Sequence, residues 1–268
     1  MRYWLLFLLT WSLPALAQDT LRSIPVKAHY LSTDESGNAY VVRNDNVLIR
    51  YNDRGDSTGF YNSVLNGDIG SVDALNRLRV FVFYPDYSRI VWLDQTMNLQ
   101  AEADLKKLGI PAGALAAPSS DNKIWVYDSY SAMLRKIDEN GVVQRTSNDL
   151  RQQLDFVPQG IQLLERERKV FLVDSSRGVL VFDQFGSYLS MIPEHIHTPI
   201  DVRNNLLLYS REQKMIAYDM NDSRRYRLYD LKKSETPLMG MMAKGGLVFL
   251  LSNGLLFVKV YNDIGTDE

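Results

Sequence analysis

The stretch "KIWVYDSYSAMLRKIDENG" (residues 123–141) shows the pattern on which most of the chain is built. An apolar run, IWVY, leads into a polar Asp-Ser turn, and a second apolar run ends at the tetrapeptide DENG. Runs of β-branched and aromatic residues that are separated by turn residues are typical of β-hairpins. The stretch therefore predicts two antiparallel strands followed by a further turn.

The same order of residues recurs along the chain. Two clear copies are NAYVVRNDNVLIRYNDRG (38–55) and KVFLVDSSRGVLVFDQFG (169–186). Three weaker copies begin at residues 79, 205 and 246, which makes six copies in all. An acidic or amide residue closes each copy: Asn52, Asp94, Asp138, Asp183, Asp219 and Asn262. Their spacing of 36 to 45 residues suits the four-stranded blade of a β-propeller, and the runs lack the 3.6-residue period of helical repeats.

The other two strands of each blade are predicted on either side of the hairpins. Short apolar stretches before the hairpins, such as SVDAL and GIQLL, fit inner strands. More polar stretches after the closing turns, such as VVQRTS and SYLSMI, fit outer strands that face solvent. The sixth copy has no residues left for an outer strand. We therefore predict that DTLRSI (19–24) pairs into blade six and closes the ring, which protects two sheet edges.

This pattern resembles the six-bladed propellers of NHL-type repeats and, more loosely, the TolB-like superfamily. The resemblance implies an all-β, six-bladed β-propeller of four-stranded blades that covers nearly all of the chain after its first residues. Such propellers include scaffolds, carbohydrate or peptide binders, and a minority of lactonases and lyases. Their repeated residues turn and pack, so the fold alone does not choose among these functions.

The first residues predict export. The opening MRYWLLFLLTWSLPALA has a basic start, a short apolar core and an A-x-A end, which is the order of a signal peptide. We expect cleavage after Ala17, leaving one domain (residues 18–268) in the periplasm or outside the cell, without a membrane span. The absence of cysteine removes thiolate metal sites, cysteine nucleophiles and the lipidated cysteine of bacterial lipoproteins. Loss of Arg2 leaves a net charge of about −3, which gives no reason to expect nucleic acid as a partner.

Polar residues on the predicted inner strands are candidates for a metal site. Carboxylate and amide oxygens that converge on the channel axis suit a divalent cation. Under the family resemblance, such a cation would point to a lactonase-like hydrolase or lyase. Those enzymes, however, use a Glu and Asn ligand set that has no match in this chain. The alternative is that the four residues only solvate a water-filled channel. The residues are His29, Asp73, Gln162 and Asp201.

The segment EHIH (194–197) is the densest group of potential metal ligands. In an extended strand His195 and His197 would point to the same side, close enough to share a metal. The segment falls between an outer strand and the next inner strand, where a pair of solvated loop histidines is the competing interpretation. No G-x-S-x-G motif and no phosphate-binding glycine loop occurs in the sequence.

Tyrosines recur near the predicted turns between the second and third strands. These turns should gather on one rim of the disc, and tyrosine is favoured where a surface is both wet and adhesive. The competing interpretation is ordinary packing between blades at the strand ends. The five candidate binding residues are Tyr84, Tyr87, Tyr127, Tyr130 and Tyr209.

Taken together, these features favour an exported, non-catalytic propeller without a cofactor. We expect it to bind a protein, peptide or glycan partner in the cell envelope, as a monomer or as a subunit of an envelope assembly. The alternative is the metal-dependent lactonase-like enzyme with its site in the channel. A third reading is a docking subunit that binds no small ligand.

Overall fold

The computed structural model describes residues 20–259 and 265–266 and shows six antiparallel blades arranged in a ring. The predicted signal peptide and Asn262 lie outside the described residues. Between blades three and four, the chain forms a short helix, α1 (Leu150–Leu154), whose first turn is capped by the Asp149 side chain. Within the described part of the chain, no helix has the length and apolar character needed to cross a membrane.

The first three blades follow one another along the chain after the N-terminal strand, β1 (Thr20–Ile24). Blade one contains β2 (Ala28–Thr33), β3 (Ala39–Arg43), β4 (Leu48–Tyr51) and β5 (Ser57–Tyr61). Blade two contains β6 (Ser71–Asp73), β7 (Val80–Tyr84), β8 (Arg89–Leu93) and β9 (Leu99–Asp104). Blade three contains β10 (Leu115–Pro118), β11 (Ile124–Asp128), β12 (Met133–Ile137) and β13 (Val143–Thr146).

The remaining blades complete the ring. Blade four contains β14 (Gly160–Arg166), β15 (Lys169–Asp174), β16 (Gly178–Asp183) and β17 (Tyr188–Ile192). Blade five contains β18 (Asp201–Arg203), β19 (Leu206–Arg211), β20 (Lys214–Asp219) and β21 (Arg225–Asp230). Blade six contains β22 (Pro237–Ala243), β23 (Gly246–Leu251) and β24 (Gly254–Lys259). A short strand, β25 (Gly265–Thr266), pairs with β21 at the edge of blade five.

The hydrophobic core lies between neighbouring blades. Every residue of β7 and of β11 is buried, because these middle strands are covered on both faces by adjacent blades. The outer strand β13, in contrast, has no fully buried residue. One apolar cluster joins blades three and four through Trp125, Leu172 and Phe182, and similar clusters join the other neighbouring pairs. The burial pattern confirms the predicted assignment of middle and outer strands.

The closing acidic or amide residues have a structural role that explains their regular spacing. In the turn after β12, one carboxylate oxygen of Asp138 accepts hydrogen bonds from the backbone N–H groups of Asn140 and Val142, both at 2.9 Å. The side chains of Asn52, Asp94 and Asp183 also accept hydrogen bonds from the backbone N–H groups two and four residues later in their own turns. Such a side chain replaces the backbone partners that a tight turn lacks.

Glycine follows three residues later because the turn requires a positive φ. Gly141 has φ of 80°, and Gly55 and Gly186 are similar. Blade two has Met97 in this position, also with positive φ (68°), so this turn is made without glycine.

The predicted ring closure is confirmed. β1 pairs antiparallel with β24, with Ile24 opposite Leu255 and Ser23 opposite Leu256. β1 therefore takes the place of the outer strand of blade six. Blade four shows the same arrangement within one continuous segment, where Ile192 at the end of β17 lies opposite Val179 near the start of β16.

In both blades a glycine lies against the carbonyl group of this isoleucine. A Cβ on Gly254 would lie 2.6 Å from the carbonyl oxygen of Ile24, and a Cβ on Gly178 would overlap the carbonyl oxygen of Ile192. Each isoleucine is followed by proline, at Pro25 and Pro193. The N-terminal strand thus repeats the local structure of an ordinary outer strand.

Candidate functional site

The central channel is crossed by an ion-paired cluster. Arg166, at the end of the inner strand β14 of blade four, donates from Nη1 to Asp73 Oδ2 at 2.7 Å and from Nε to Asp201 Oδ1 at 3.1 Å. Asp73 belongs to blade two and Asp201 to blade five, which lie opposite each other in the ring. Arg203 binds the second oxygen of Asp201 at 2.9 Å. We call these four residues the channel cluster.

The channel cluster balances two carboxylates against two guanidinium groups. Burial alone would lower the pKa of Arg166, but the nearby charges of Asp73 and Asp201 raise it above its usual value. The Arg166 side chain is only 10% exposed, and the cavity beside it has a volume of about 20 Å³, room for about one water. This section of the channel is therefore closed by side chains, with room for little of the water that the alternative interpretation of the sequence predicts.

The four residues that the sequence predicts as metal ligands do not converge on a common position where an ion could bind. The side chain of Gln162 reaches the next blade. It donates a hydrogen bond to the carbonyl oxygen of Ile200 at 3.0 Å and accepts one from the N–H of Ile200 at 2.7 Å. His29 Nε2 lies 3.2 Å from the carbonyl oxygen of Ile69. Only Asp73 and Asp201 are brought together, and both contact the Arg166 guanidinium. Among the described residues, no three His, Asp or Glu side chains are placed to hold a metal ion.

The EHIH segment separates its acid from its histidines. Ile192 to His197 alternates between buried and exposed, so Glu194 points inward while His195 and His197 point to solvent. Burial raises the pKa of Glu194, but hydrogen bonds from Arg225 and Tyr209 outweigh this effect and leave its pKa lowered. Glu194 therefore joins blades four and five, and the structure does not bring it together with the two histidines.

Three of the five candidate tyrosines are buried, which corrects the expectation of one tyrosine surface. Tyr84, Tyr127 and Tyr209 are at most 2% exposed, because they lie on strands and pack between blades. Tyr127 donates to the carbonyl of Pro158 at 2.7 Å. Tyr87 and Tyr130 lie in the turns themselves and are 54% and 88% exposed, so these two remain on the surface.

A large depression lies at the mouth of the channel on the face opposite Tyr87 and Tyr130. The turns between the first and second strands of the blades meet there. Its volume is about 750 Å³, and residues of blades one to four line it. Its floor includes Asp73 and Arg166 of the channel cluster, and its wall includes Trp92, Leu78 and Lys123. We call this depression the basin. It is open to solvent and lies outside the closed section of the channel, so it is a candidate site for a large ligand.

Glu165 fixes one wall of the basin. This buried carboxylate accepts hydrogen bonds from Ser119 Oγ at 2.6 Å, from the Ser120 N–H at 3.0 Å and from the indole of Trp125. Burial raises the pKa of Glu165, but these hydrogen bonds outweigh it and leave the pKa lowered. The contacts join the blade-three turn to blade four, so the basin wall is preorganised.

Arg166 and the basin were not predicted from the sequence. The predicted inner strand of blade four ended at Leu164, whereas β14 continues to Arg166. The sequence feature that could have revealed Arg166 is the tetrapeptide ERER (165–168), which places charged residues at the end of an inner strand, beside the channel. The short LAAP strand of blade three carries none.

Solved structures similar to this chain are β-propellers, which supports the predicted fold. A streptogramin B lyase structure matches with a TM-score of 0.58 and 11% identity, over 88% of this chain and 94% of the lyase chain. YCF48 bound to D1 peptide matches with a TM-score of 0.54 and 11% identity, over 88% and 79% of the two chains.

A third similar structure is PorZ, an essential bacterial surface component of the type-IX secretion system of Porphyromonas gingivalis. It matches with a TM-score of 0.52 and 10% identity, over 93% of this chain and 39% of its own. Identities this low show a shared fold. No protein-family model and no curated protein sequence matches the chain.

Proposed function

We propose that the protein is an exported, non-catalytic propeller that binds a protein, peptide or glycan partner in the cell envelope. The observation that carries this proposal is the position of the open space. The channel beside Arg166 holds about 20 Å³, whereas the basin above it holds about 750 Å³. Ligand sites are concave and preformed, and the basin meets both conditions.

Two further observations support a role in binding. YCF48, a propeller of similar fold, has been solved bound to a peptide, so this architecture is compatible with peptide recognition. The predicted signal peptide supports export, and PorZ is a surface component with a similar fold. The periplasm or the cell exterior is thus the proposed location.

The alternative function is a metal-dependent lactonase-like hydrolase or lyase with its site in the channel. The streptogramin B lyase has a similar fold, which keeps an enzyme in consideration. A divalent cation fits poorly, however, because the guanidinium of Arg166 is already bound to both Asp73 and Asp201. Placing a cation between these carboxylates would bring it against a fixed positive charge. Binding is therefore preferred.

Site-specific photocrosslinking in intact cells tests the proposal. A benzophenone amino acid replaces Leu78, which is 58% exposed in the basin wall, or Tyr130, which is 88% exposed on the opposite face. Benzophenone inserts into nearby C–H bonds, so it captures protein and glycan partners alike. We expect a light-dependent adduct from position 78 and none from position 130.

The comparison position, 130, also gives the results that would contradict the proposal. An adduct from position 130 alone would assign binding to the face that carries Tyr87 and Tyr130. The absence of an adduct from either position, in cells where the protein is exported and folded, would contradict a binding role for both faces.

A further inference from the structure

The basin is rich in positive charge although the whole chain is slightly acidic. Five cationic side chains line it: Arg77, Arg79, Lys123, Arg166 and Arg168. Four acidic side chains line it as well: Glu35, Asp73, Glu165 and Glu167. These numbers are nearly equal, so the field in the basin depends on which of the charges are already neutralised by partners within the fold.

Two of the four acids are paired with cations of the fold, and a third is held by backbone hydrogen bonds. Asp73 is paired with Arg166. The buried Glu165 carboxylate lies 3.9 Å from the Lys136 ammonium and also accepts hydrogen bonds from Ser119, Ser120 and Trp125. Glu167 accepts from the backbone N–H groups of Asn204 and Asn205 at the start of the next blade. Glu35 is the acid of the basin that has no such contact among the described residues.

Three of the cations have only neutral partners among the described residues, whereas two acids of the basin, Glu35 and Glu167, lack a cationic partner there. Arg77 donates to Ser36 Oγ at 3.2 Å, and Arg168 donates to the side-chain oxygen of Gln184 at 3.2 Å. Arg79 donates to Asn122 Oδ1 at 3.1 Å and lies over the Trp92 ring at 4.9 Å. The remaining two cations are paired, Lys123 with Asp121 and Arg166 with the channel carboxylates.

From this imbalance we infer that the basin binds an acidic peptide segment. Arg77, Arg79 and Arg168 supply guanidinium groups that have no carboxylate partner, and guanidinium binds carboxylate in a planar two-point geometry. Exposed Leu78 and the Trp92–Arg79 stack add an apolar surface for an aliphatic or aromatic side chain of the ligand. This inference rests on the proposed binding function and adds the site and the chemical class of the ligand.

Fluorescence anisotropy with labelled peptides tests the inference. The probes are a short peptide rich in Glu and Asp with one Leu, and a second peptide in which Lys replaces every acid. We expect the acidic probe to bind and the basic probe not to bind. The affinity should fall as ionic strength rises, because partly exposed charges are screened within about 8–10 Å.

Charge reversal locates the binding site. The double variant Arg77→Glu/Arg168→Glu should weaken binding of the acidic probe by about tenfold or more, because two attractive charges become repulsive. The control is Lys107→Glu/Lys233→Glu, which makes the same change in net charge at exposed positions on the opposite face and should bind as the wild type does. Equal melting temperatures confirm that both variants are folded.

The outcomes separate this inference from the function on which it rests. Equal loss in both double variants, or no loss in either, would overturn the basin as the site. If neither probe binds while position 78 still gives a crosslinked partner in cells, the acidic class is wrong and the binding function stands. If neither position 78 nor position 130 gives an adduct and neither probe binds, both are wrong.

Discussion

Deleting residues 18–24 is expected to make the propeller aggregate or to lower its melting temperature by far more than the loss of a free terminus would. The deletion leaves β24 paired only with β23, and four residues of β24, Leu255 to Val258, are at most 4% exposed in the closed ring. An apolar strand edge of this kind is a template for intermolecular pairing.

The expected cost is large against the stability of a domain. Several ladder hydrogen bonds are lost, at about 1 kcal/mol each, together with the packing of Ile24 against the core between blades one and six. Domains are stable by only about 5–15 kcal/mol in total. Thermal unfolding followed by circular dichroism, with size-exclusion chromatography, measures the effect. A truncated chain that stays monomeric and melts with the intact one would contradict closure by β1.

A single substitution tests the same closure without shortening the chain. Gly254→Ala puts a methyl group 2.6 Å from the Ile24 carbonyl oxygen, so β1 must move away. Gly245→Ala is the control, because a Cβ there meets nothing within 4 Å and only the positive φ of 80° is unfavourable, at about 1 kcal/mol. We expect the Gly254 variant to be the less stable of the two.

The second large effect is expected from Arg166→Ala. This change removes one guanidinium, which leaves the largely buried Asp73 carboxylate without a cationic partner and Asp201 with Arg203 alone. Breaking a buried ion pair from one side costs about 3–5 kcal/mol, because the remaining charge is desolvated and unpaired. Urea unfolding should show this loss at neutral pH.

Two comparison variants make the Arg166 result specific. Arg203→Ala removes a guanidinium that contacts only Asp201 of the channel cluster and is more exposed, so we expect a smaller loss. The double change Arg166→Met/Asp73→Asn removes one charge of each sign, keeps the Asp201–Arg203 pair and should recover most of the stability. If Arg166→Ala unfolds like the wild type, the cluster does not close the channel in solution.

The sequence predicted the fold because the same residues serve the same structural role in each blade. Asn or Asp in the closing turns binds the turn backbone, and the middle strands are apolar on both faces. Closure was predictable as well, since DTLRSI was the unassigned segment and blade six lacked a strand. These are local patterns that repeat, so a single sequence reveals them.

The site was harder to predict because it depends on contacts between distant blades. Arg166 and Asp73 are 93 positions apart, and nothing local shows that one reaches the other across the channel. The prediction that the five tyrosines share one surface was wrong for a different reason. Tyr127 lies on a strand and Tyr130 in the adjacent turn, so a difference of three positions separates a buried side chain from an exposed one. Strand ends are the least certain part of any sequence prediction.

Native mass spectrometry of the exported protein, purified without chelators, tests most directly whether the protein acts by surface binding or by metal chemistry in the channel. A channel closed by Arg166 predicts the mass of a polypeptide that begins at or near Gln18, with no divalent ion in stoichiometric amount. One bound divalent ion per chain, lost in Asp73→Asn/Asp201→Asn, would contradict the closed channel and favour the lactonase-like alternative.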